Sequence, residues 1–221
     1  MNPLRRSILL GLGSLALAPI PMLAQQKAPE AGFEYQLLSP PLPPVSPTRI
    51  EVIEFFWYGC PHCYAFEPVI EPWIKTLPGD VMFHRVPAVF HDDWAPHAQL
   101  YYTIEALRQT ERLHPLIYDA IHQQGRPLAN ETEMTDFAAA HGVSRKRFVA
   151  AYRSAAVKNG LARGARLQEA YKIEGVPTMG IDGRYITSTT MMPDVRHESV
   201  PAVVDFLIRE TRRQRGLAMS A

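Results

Sequence analysis

The sequence predicts an α/β fold, a mixed β-sheet frame flanked by helices and interrupted by an all-helical insertion. Three observations predict it. Residues 50–57 are a dense run of β-branched and aromatic side chains, the pattern of a strand buried on both faces. Asp182-Gly183 is a hairpin signal between two short runs of strand-forming residues, 178–181 and 185–187. Between these regions no strand-like alternation interrupts residues 94–158, where apolar side chains recur at helical spacing.

Composition is compatible with this class. The chain has 221 residues, 47% hydrophobic and 20% charged, with 23 basic against 22 acidic side chains. That balance excludes a disordered chain or a coiled coil, and a formal charge of +1 gives no electrostatic reason to expect nucleic acid. Proline is the outlier at 20 residues, about twice the usual share of about 5%. The two cysteines, Cys60 and Cys63, exclude a disulfide scaffold or a four-thiolate zinc site built from this chain alone.

Residues 1–24 have the features of an export signal. Arg5 and Arg6 open it, residues 8–17 are apolar, and Pro19 and Pro21 lead to Ala24, the expected cleavage point. The apolar run falls short of the about 20 residues that span a bilayer, though an uncleaved anchor is the alternative. The paired arginines faintly resemble a twin-arginine signal, but the general export route is favoured. Losing Arg5 and Arg6 leaves 21 basic against 22 acidic side chains, a charge of −1, in a mature protein working outside the reducing cytosol.

Residues 25–48 form a proline-rich arm in which 35–38 is a possible edge strand. After the first buried strand, residues 61–77 carry Phe66, Val69, Ile70, Trp73, Ile74 and Leu77 at helical spacing, with Pro68 and Pro72 expected to bend or interrupt the helix. Residues 81–86 are a second strand, completing a βαβ unit. In the insertion, 92–160, Leu100 to Leu107 and Leu113 to Ile121 mark two amphipathic helices. Asn130 with Glu133 starts a third, Gly142 stops it, and Ser144 caps a fourth. Residues 161–171 and about 199–213 are the remaining helices, so the frame comprises 49–91 and 161–215.

The chemistry lies where the first strand meets its helix, at Cys60-Pro61-His62-Cys63. Pro61 suits a first helical position, where its missing N–H costs nothing. Cys60 then falls near the N-cap, facing unpaired backbone N–H groups and the positive end of the helix dipole, which both favour thiolate. His62 can add a hydrogen bond or a positive charge. Cys60 is therefore the expected exposed nucleophile and Cys63, one turn further in, the buried resolving thiol. A stabilised thiolate makes the reduced form more stable and the disulfide a stronger oxidant. A pKa lowered from about 8.5 to about 4.5 would stabilise the reduced state by roughly 3.4 kcal/mol at pH 7 and raise the potential by roughly 70 mV.

The segment Glu54-Phe55-Phe56-Trp57-Tyr58-Gly59-Cys60-Pro61-His62-Cys63-Tyr64-Ala65-Phe66-Glu67 resembles the active-site segment of the DsbA family of periplasmic thiol–disulfide oxidoreductases. Gly175-Val176-Pro177-Thr178-Met179, followed by Asp182-Gly183-Arg184-Tyr185, is a second matching block, and the helical stretch between them matches the family's layout. The resemblance implies a thioredoxin-like fold with an inserted helical domain. It implies a cis Val176–Pro177 bond beside Cys60, with Val176 offering its backbone to an extended substrate strand. It also implies that Glu54 is a buried acid, titrating high, that accepts the proton Cys63 loses during resolution; an edge-exposed Glu54 in a salt bridge is the plainer alternative. The implied role is donation of the Cys60–Cys63 disulfide to reduced, unfolded exported proteins in the periplasm by a monomer without cofactor. Reoxidation falls to a quinone-linked membrane partner of the DsbB type. Departures from the family pattern are Trp57-Tyr58-Gly59 before the cysteine and the unexplained Pro72; Pro68 stands where thioredoxins also carry a helix-bending proline. An aromatic-rich surface near Trp57 and Tyr58 would suit loose binding of unfolded chains.

Rival readings are weaker. A soft-metal site on Cys60 and Cys63 lacks a second ligand pair at finger spacing, and His91, Asp92, Asp93 and His97 fit a polar loop leading a helix. Haem attachment fails because Tyr64 follows the second cysteine. A structural disulfide closing so short a loop removes little unfolded-state entropy. A disulfide isomerase or reductase of the same fold is the enzymatic alternative, but the about 25 residues between the expected cleavage point and the first core strand are too few for an added dimerisation module. Arg209 to Arg215 fit a basic helix end with a solvated tail.

Overall fold

The computed structural model describes residues 28–192 and 196–218. The expected export signal therefore lies outside the described residues. Strand β2 (Ile50–Phe56) is wholly buried and forms the middle of the frame. It pairs in parallel with β3 (Val81–Pro87) and antiparallel with β4 (Thr178–Ile181). β4 pairs with β5 (Tyr185–Ser188), and β1 (Gln36–Leu37) closes the far edge against β5, giving the order β1-β5-β4-β2-β3. The β4–β5 turn places Asp182 and Gly183 both at positive φ, the backbone geometry that Asp-Gly sequences favour.

Because strand side chains alternate in direction, β2 presents Ile50, Val52, Glu54 and Phe56 to one face of the sheet and Glu51, Ile53 and Phe55 to the other. The first face packs on α1 (Pro61–Ile74) and α7 (Val200–Arg215), through Phe66, Ile70, Val204 and Leu207. The second packs on Tyr171, Ile173 and Leu167, at the end of α6 (Ala155–Ala170) and just beyond it. A third cluster joins Phe56, Tyr58, Cys60 and Cys63 to α2 (Ala95–Ala106), α3 (Thr110–His122), α4 (Glu131–Ala140) and α5 (Arg145–Tyr152). The helical insertion therefore shares its core with the strand end and helix start that hold the cysteines.

Four expectations need correction. Pro68 and Pro72 do not interrupt α1, which runs unbroken to Ile74. Both prolines lie on its exposed face, where water can reach the carbonyls left without an N–H partner. The boundary expected at 160/161 falls inside α6, which begins at Ala155 with Ser154 as its hydrogen-bonded N-cap. Gly160 and Gly164 weaken the local helical signal but let Tyr102 lie against the helix: a Cβ at Gly160 would sit 2.7 Å from the Tyr102 ring. Ser144 precedes α5 without capping it through its side chain, whereas Asn130 accepts from the Glu133 N–H as expected. The basic end of α7 is not simply solvated. Arg212 is buried and makes two 2.7 Å bonds to Asp80, and Arg215 bonds to Asp182 and to the carbonyls of Arg49 and Ser46, tying the proline-rich arm to the frame.

Candidate functional site

β2 ends at Phe56, and three residues turn the chain into α1. The Cys60 N–H donates to the Trp57 carbonyl at 3.0 Å, closing the turn. Gly59 lies under the Trp57 indole, and a Cβ there would collide with the ring, so only glycine fits. Trp57 in turn stacks on Trp94 at 3.9 Å with an interplanar angle of 3°. Tyr58 is fully buried and not part of a surface, which corrects the aromatic docking face expected there; its hydroxyl meets His114 Nδ1 at 2.7 Å. His97, expected in a polar loop, is buried in α2 with Nε2 2.8 Å from the Pro127 carbonyl.

Cys60 is the N-cap of α1 with Pro61 at the first helical position, and its sulfur accepts from the Cys63 backbone N–H at 3.4 Å. The residue is 8% exposed, against 0% for Cys63, and both thiols are free. A hydrogen bond from the Cys63 side chain, helped by the N–H groups of Cys63 and His62 and by the His62 charge, lowers the Cys60 pKa to about 6 against the opposing effect of burial. Burial pushes the Cys63 thiol well above the usual range, and Cys60 pushes the same way. The pair is thus split into a thiolate at the helix N-terminus and a thiol inside, and the Cys60 expected to be exposed is itself largely covered. From an ordinary 9.0, a fall to about 6 stabilises the reduced form at pH 7 by at most about 1.4 kcal/mol, or roughly 30 mV, since the sulfur is only partly desolvated. That is well under half the shift supposed from sequence.

Cys60 Sγ also lies 3.6 Å from the Val176 carbonyl oxygen, on the turn entering β4, and the Val176–Pro177 bond is cis. Val176 is half-buried and Pro177 buried. That turn borders a groove of about 580 Å³ lined also by Leu37, Leu38, Ile173 and Met191. His62 is exposed on α1, its ring 6.5 Å from that of His197. Among the described residues no group of three or more His, Cys, Asp or Glu side chains is placed to hold a metal ion.

Glu54 is both buried and ion-paired, combining the two alternatives drawn from sequence. It is 0% exposed, and Arg85, its register partner on β3, donates to it from Nε at 2.8 Å. Burial outweighs the attraction of Arg85 and pushes the Glu54 pKa up to about 8. Sequence reasoning missed the rest of this cluster: Arg85, Glu67, Glu71 and His114. Arg85 Nη2 lies 2.7 Å from Glu71 and 3.6 Å from Glu67, and His114 Nε2 lies 3.2 Å from Glu67. The available signal was spacing, since Cys63, Glu67 and Glu71 recur every fourth residue on one face of α1.

The DSBA-like thioredoxin domain family matches residues 79–199. A thiol:disulfide interchange protein DsbA of Burkholderia cepacia is 39% identical over 213 residues, covering 96% of this chain and 98% of that protein. The chain belongs to the DsbA family. It is a thiol–disulfide oxidoreductase with a thioredoxin-like fold. The crystal structure of Pseudomonas aeruginosa DsbA superposes with a TM-score of 0.80 at 41% identity, covering 85% of this chain and 96% of that one. The Xylella fastidiosa DsbA structure gives 0.77 at 30% identity, over 85% and 100% of the two chains. The family match to 79–199 begins after the cysteines, so it rests on the DsbA layout of β3, the helical insertion and the Val176–Pro177 turn rather than on the Cys-Pro-His-Cys segment.

Proposed function

We propose that this protein is an oxidant, donating a Cys60–Cys63 disulfide to reduced, unfolded exported polypeptides in the periplasm. The observation that carries the reading is the split between the two thiols, Cys60 low at the helix N-terminus and Cys63 high inside. A substrate thiolate attacks the Cys60 sulfur, the Cys60–Cys63 bond breaks, and Cys63 leaves, taking up a proton from Glu54. A second substrate thiolate attacks the substrate sulfur of the mixed disulfide and expels Cys60 as thiolate. Two substrate thiols are oxidised to a disulfide, and the protein gains two electrons and one proton at pH 7. The low pKa of Cys60 makes it a good leaving group in the second step. Reoxidation runs in reverse: Cys60 attacks the disulfide of a quinone-linked membrane protein of the DsbB type. Cys63 then gives its proton to Glu54 and resolves the mixed disulfide.

Pro61 fixes the helix start, His62 adds charge beside Cys60, and Val176 with Pro177 presents backbone to an extended substrate segment, so many sequences are accepted. The protein works as a monomer. No helix among the described residues is long and apolar enough to cross a membrane. Titration of the pair against glutathione tests the reading. An oxidising potential, with Cys60→Ser abolishing disulfide transfer to a reduced unfolded polypeptide, supports it. A strongly reducing potential would make the protein a reductase instead.

A further inference from the structure

Charge is divided very unevenly along the chain. Residues 137–168 include no acidic side chain and seven basic ones, three of them in the run Arg145-Lys146-Arg147. The rest of the chain carries 16 basic against 22 acidic side chains, so a molecule close to neutral places +7 on two consecutive helices. α5 and α6 bury Phe148, Tyr152 and Val157 in one core cluster with Tyr101 and Tyr102 of α2, and leave all seven basic residues exposed. Arg145 pairs with Asp136, Arg153 with Glu131 and Arg163 with Glu105, whereas Lys146, Arg147, Lys158 and Arg166 make no ion pair among the described residues. Lys158, Ala162 and Arg166, at every fourth position, share one stripe of α6.

We propose that the outer face of α5 and α6 is a membrane-docking surface, holding the protein by charge alone against anionic phospholipid headgroups. The other side chains on this face decide the partner. Apart from the basic residues, the exposed positions of α5 and α6 are alanines, Asn159 and Glu169. A protein partner is gripped by aromatic or aliphatic anchors in a desolvated centre, and this face offers none. Nor does it offer an apolar stripe that could sink into hydrocarbon. Long basic side chains standing over a floor of small ones suit a diffuse, planar layer of negative charge, which is what a bilayer rich in anionic headgroups presents. Docking is therefore peripheral, reversible and sensitive to salt. On the function proposed above, it keeps the oxidant beside the membrane partner that reoxidises it; the docking itself does not depend on that function.

The test is cosedimentation of the full protein with vesicles, either phosphatidylglycerol mixed with phosphatidylcholine or phosphatidylcholine alone. At about 0.1 M salt, where charges are felt over about 10 Å, the protein is expected to bind the anionic vesicles only. At about 1 M, where that length falls to about 3 Å, it should be released. Lys146→Gln, Arg147→Gln, Lys158→Gln and Arg166→Gln together remove four exposed, unpaired charges and no buried contact. A basic residue near an anionic surface adds about fivefold to partitioning, so this variant should bind about a hundredfold more weakly. Should it not fold, Lys158→Gln with Arg166→Gln should lose about twentyfold. A control with Arg49→Gln, Lys75→Gln, Arg108→Gln and Arg209→Gln takes the same charge from exposed positions elsewhere and should bind almost as the parent does. Residues 1–24 are common to all these proteins, so their contribution cancels. Equal losses in the fourfold variant and the control overturn the docking face, as does equal binding to both kinds of vesicle, or binding that about 1 M salt leaves intact. Binding to polyglutamate without binding to anionic vesicles overturns it in favour of an acidic protein partner. Vesicle binding is read without any redox step, so it stands or falls separately from the proposed function.

Discussion

The backbone N–H of Cys63 points at the sulfur of Cys60 across 3.4 Å, so the residue that later resolves the mixed disulfide also steadies the thiolate that forms it. The Cys60 pKa near 6 can be read directly from thiolate absorbance or from the pH dependence of alkylation. The midpoint is expected near pH 6 in the native protein and near an ordinary thiol value after unfolding. A midpoint above 8 in the native protein would remove the basis for an oxidant.

The same shift makes the stability of the reduced form depend on pH. Cys60 is depressed on folding, so its contribution is fully present above the unfolded value of about 9 and is lost as pH falls through about 6. The reduced protein is therefore expected to lose stability relative to the oxidised one between pH 9 and pH 6, with little further change below. Paired urea titrations of the two forms measure it.

Replacing Cys63 with alanine removes the internal thiol while leaving Cys60 as N-cap. Mixed with oxidised glutathione or another disulfide, the reduced variant is expected to accumulate a stable Cys60 mixed disulfide, visible by mass spectrometry or on non-reducing gels, because Cys63 is no longer there to displace the partner sulfur. The alanine also removes the hydrogen bond from the Cys63 side chain, so the Cys60 pKa should rise.

Arg85→Met leaves Glu54 and Glu67 buried without their cation. The expected cost is about 3–5 kcal/mol of unfolding free energy at pH 8. Both carboxyls are raised on folding, so they are protonated and less demanding at low pH; the loss should shrink at pH 5. An equal loss at both pH values would mean that packing, and not charge, is what Arg85 supplies.

Gly164→Ala on α6 places a methyl group against the Tyr102 hydroxyl. Although alanine favours helix by about 1 kcal/mol, overpacking should leave a net loss of about 1–2 kcal/mol. Tyr102→Phe should relieve it, since that hydroxyl is buried without a hydrogen-bond partner and its removal leaves nothing unpaired. Thermal unfolding of the two single variants and the double variant decides the point.

What was legible in the sequence is what short-range physics governs. A β-branched and aromatic run made β2 a buried strand, Asp182-Gly183 made the hairpin, and a cysteine followed by proline at a strand-to-helix junction became an N-cap sulfur, each within about four residues of its cause. What only the tertiary structure decided depends on partners far along the chain. Glu54 took its burial and its cation from Arg85, 31 residues away, and Arg212 exchanged solvent for Asp80 across 132 residues. Tyr58 left the surface because His114, 56 residues on, offered its hydroxyl a buried partner. Whether a polar side chain is hydrated or enclosed is settled by the groups that reach it across the fold, and no local pattern names them.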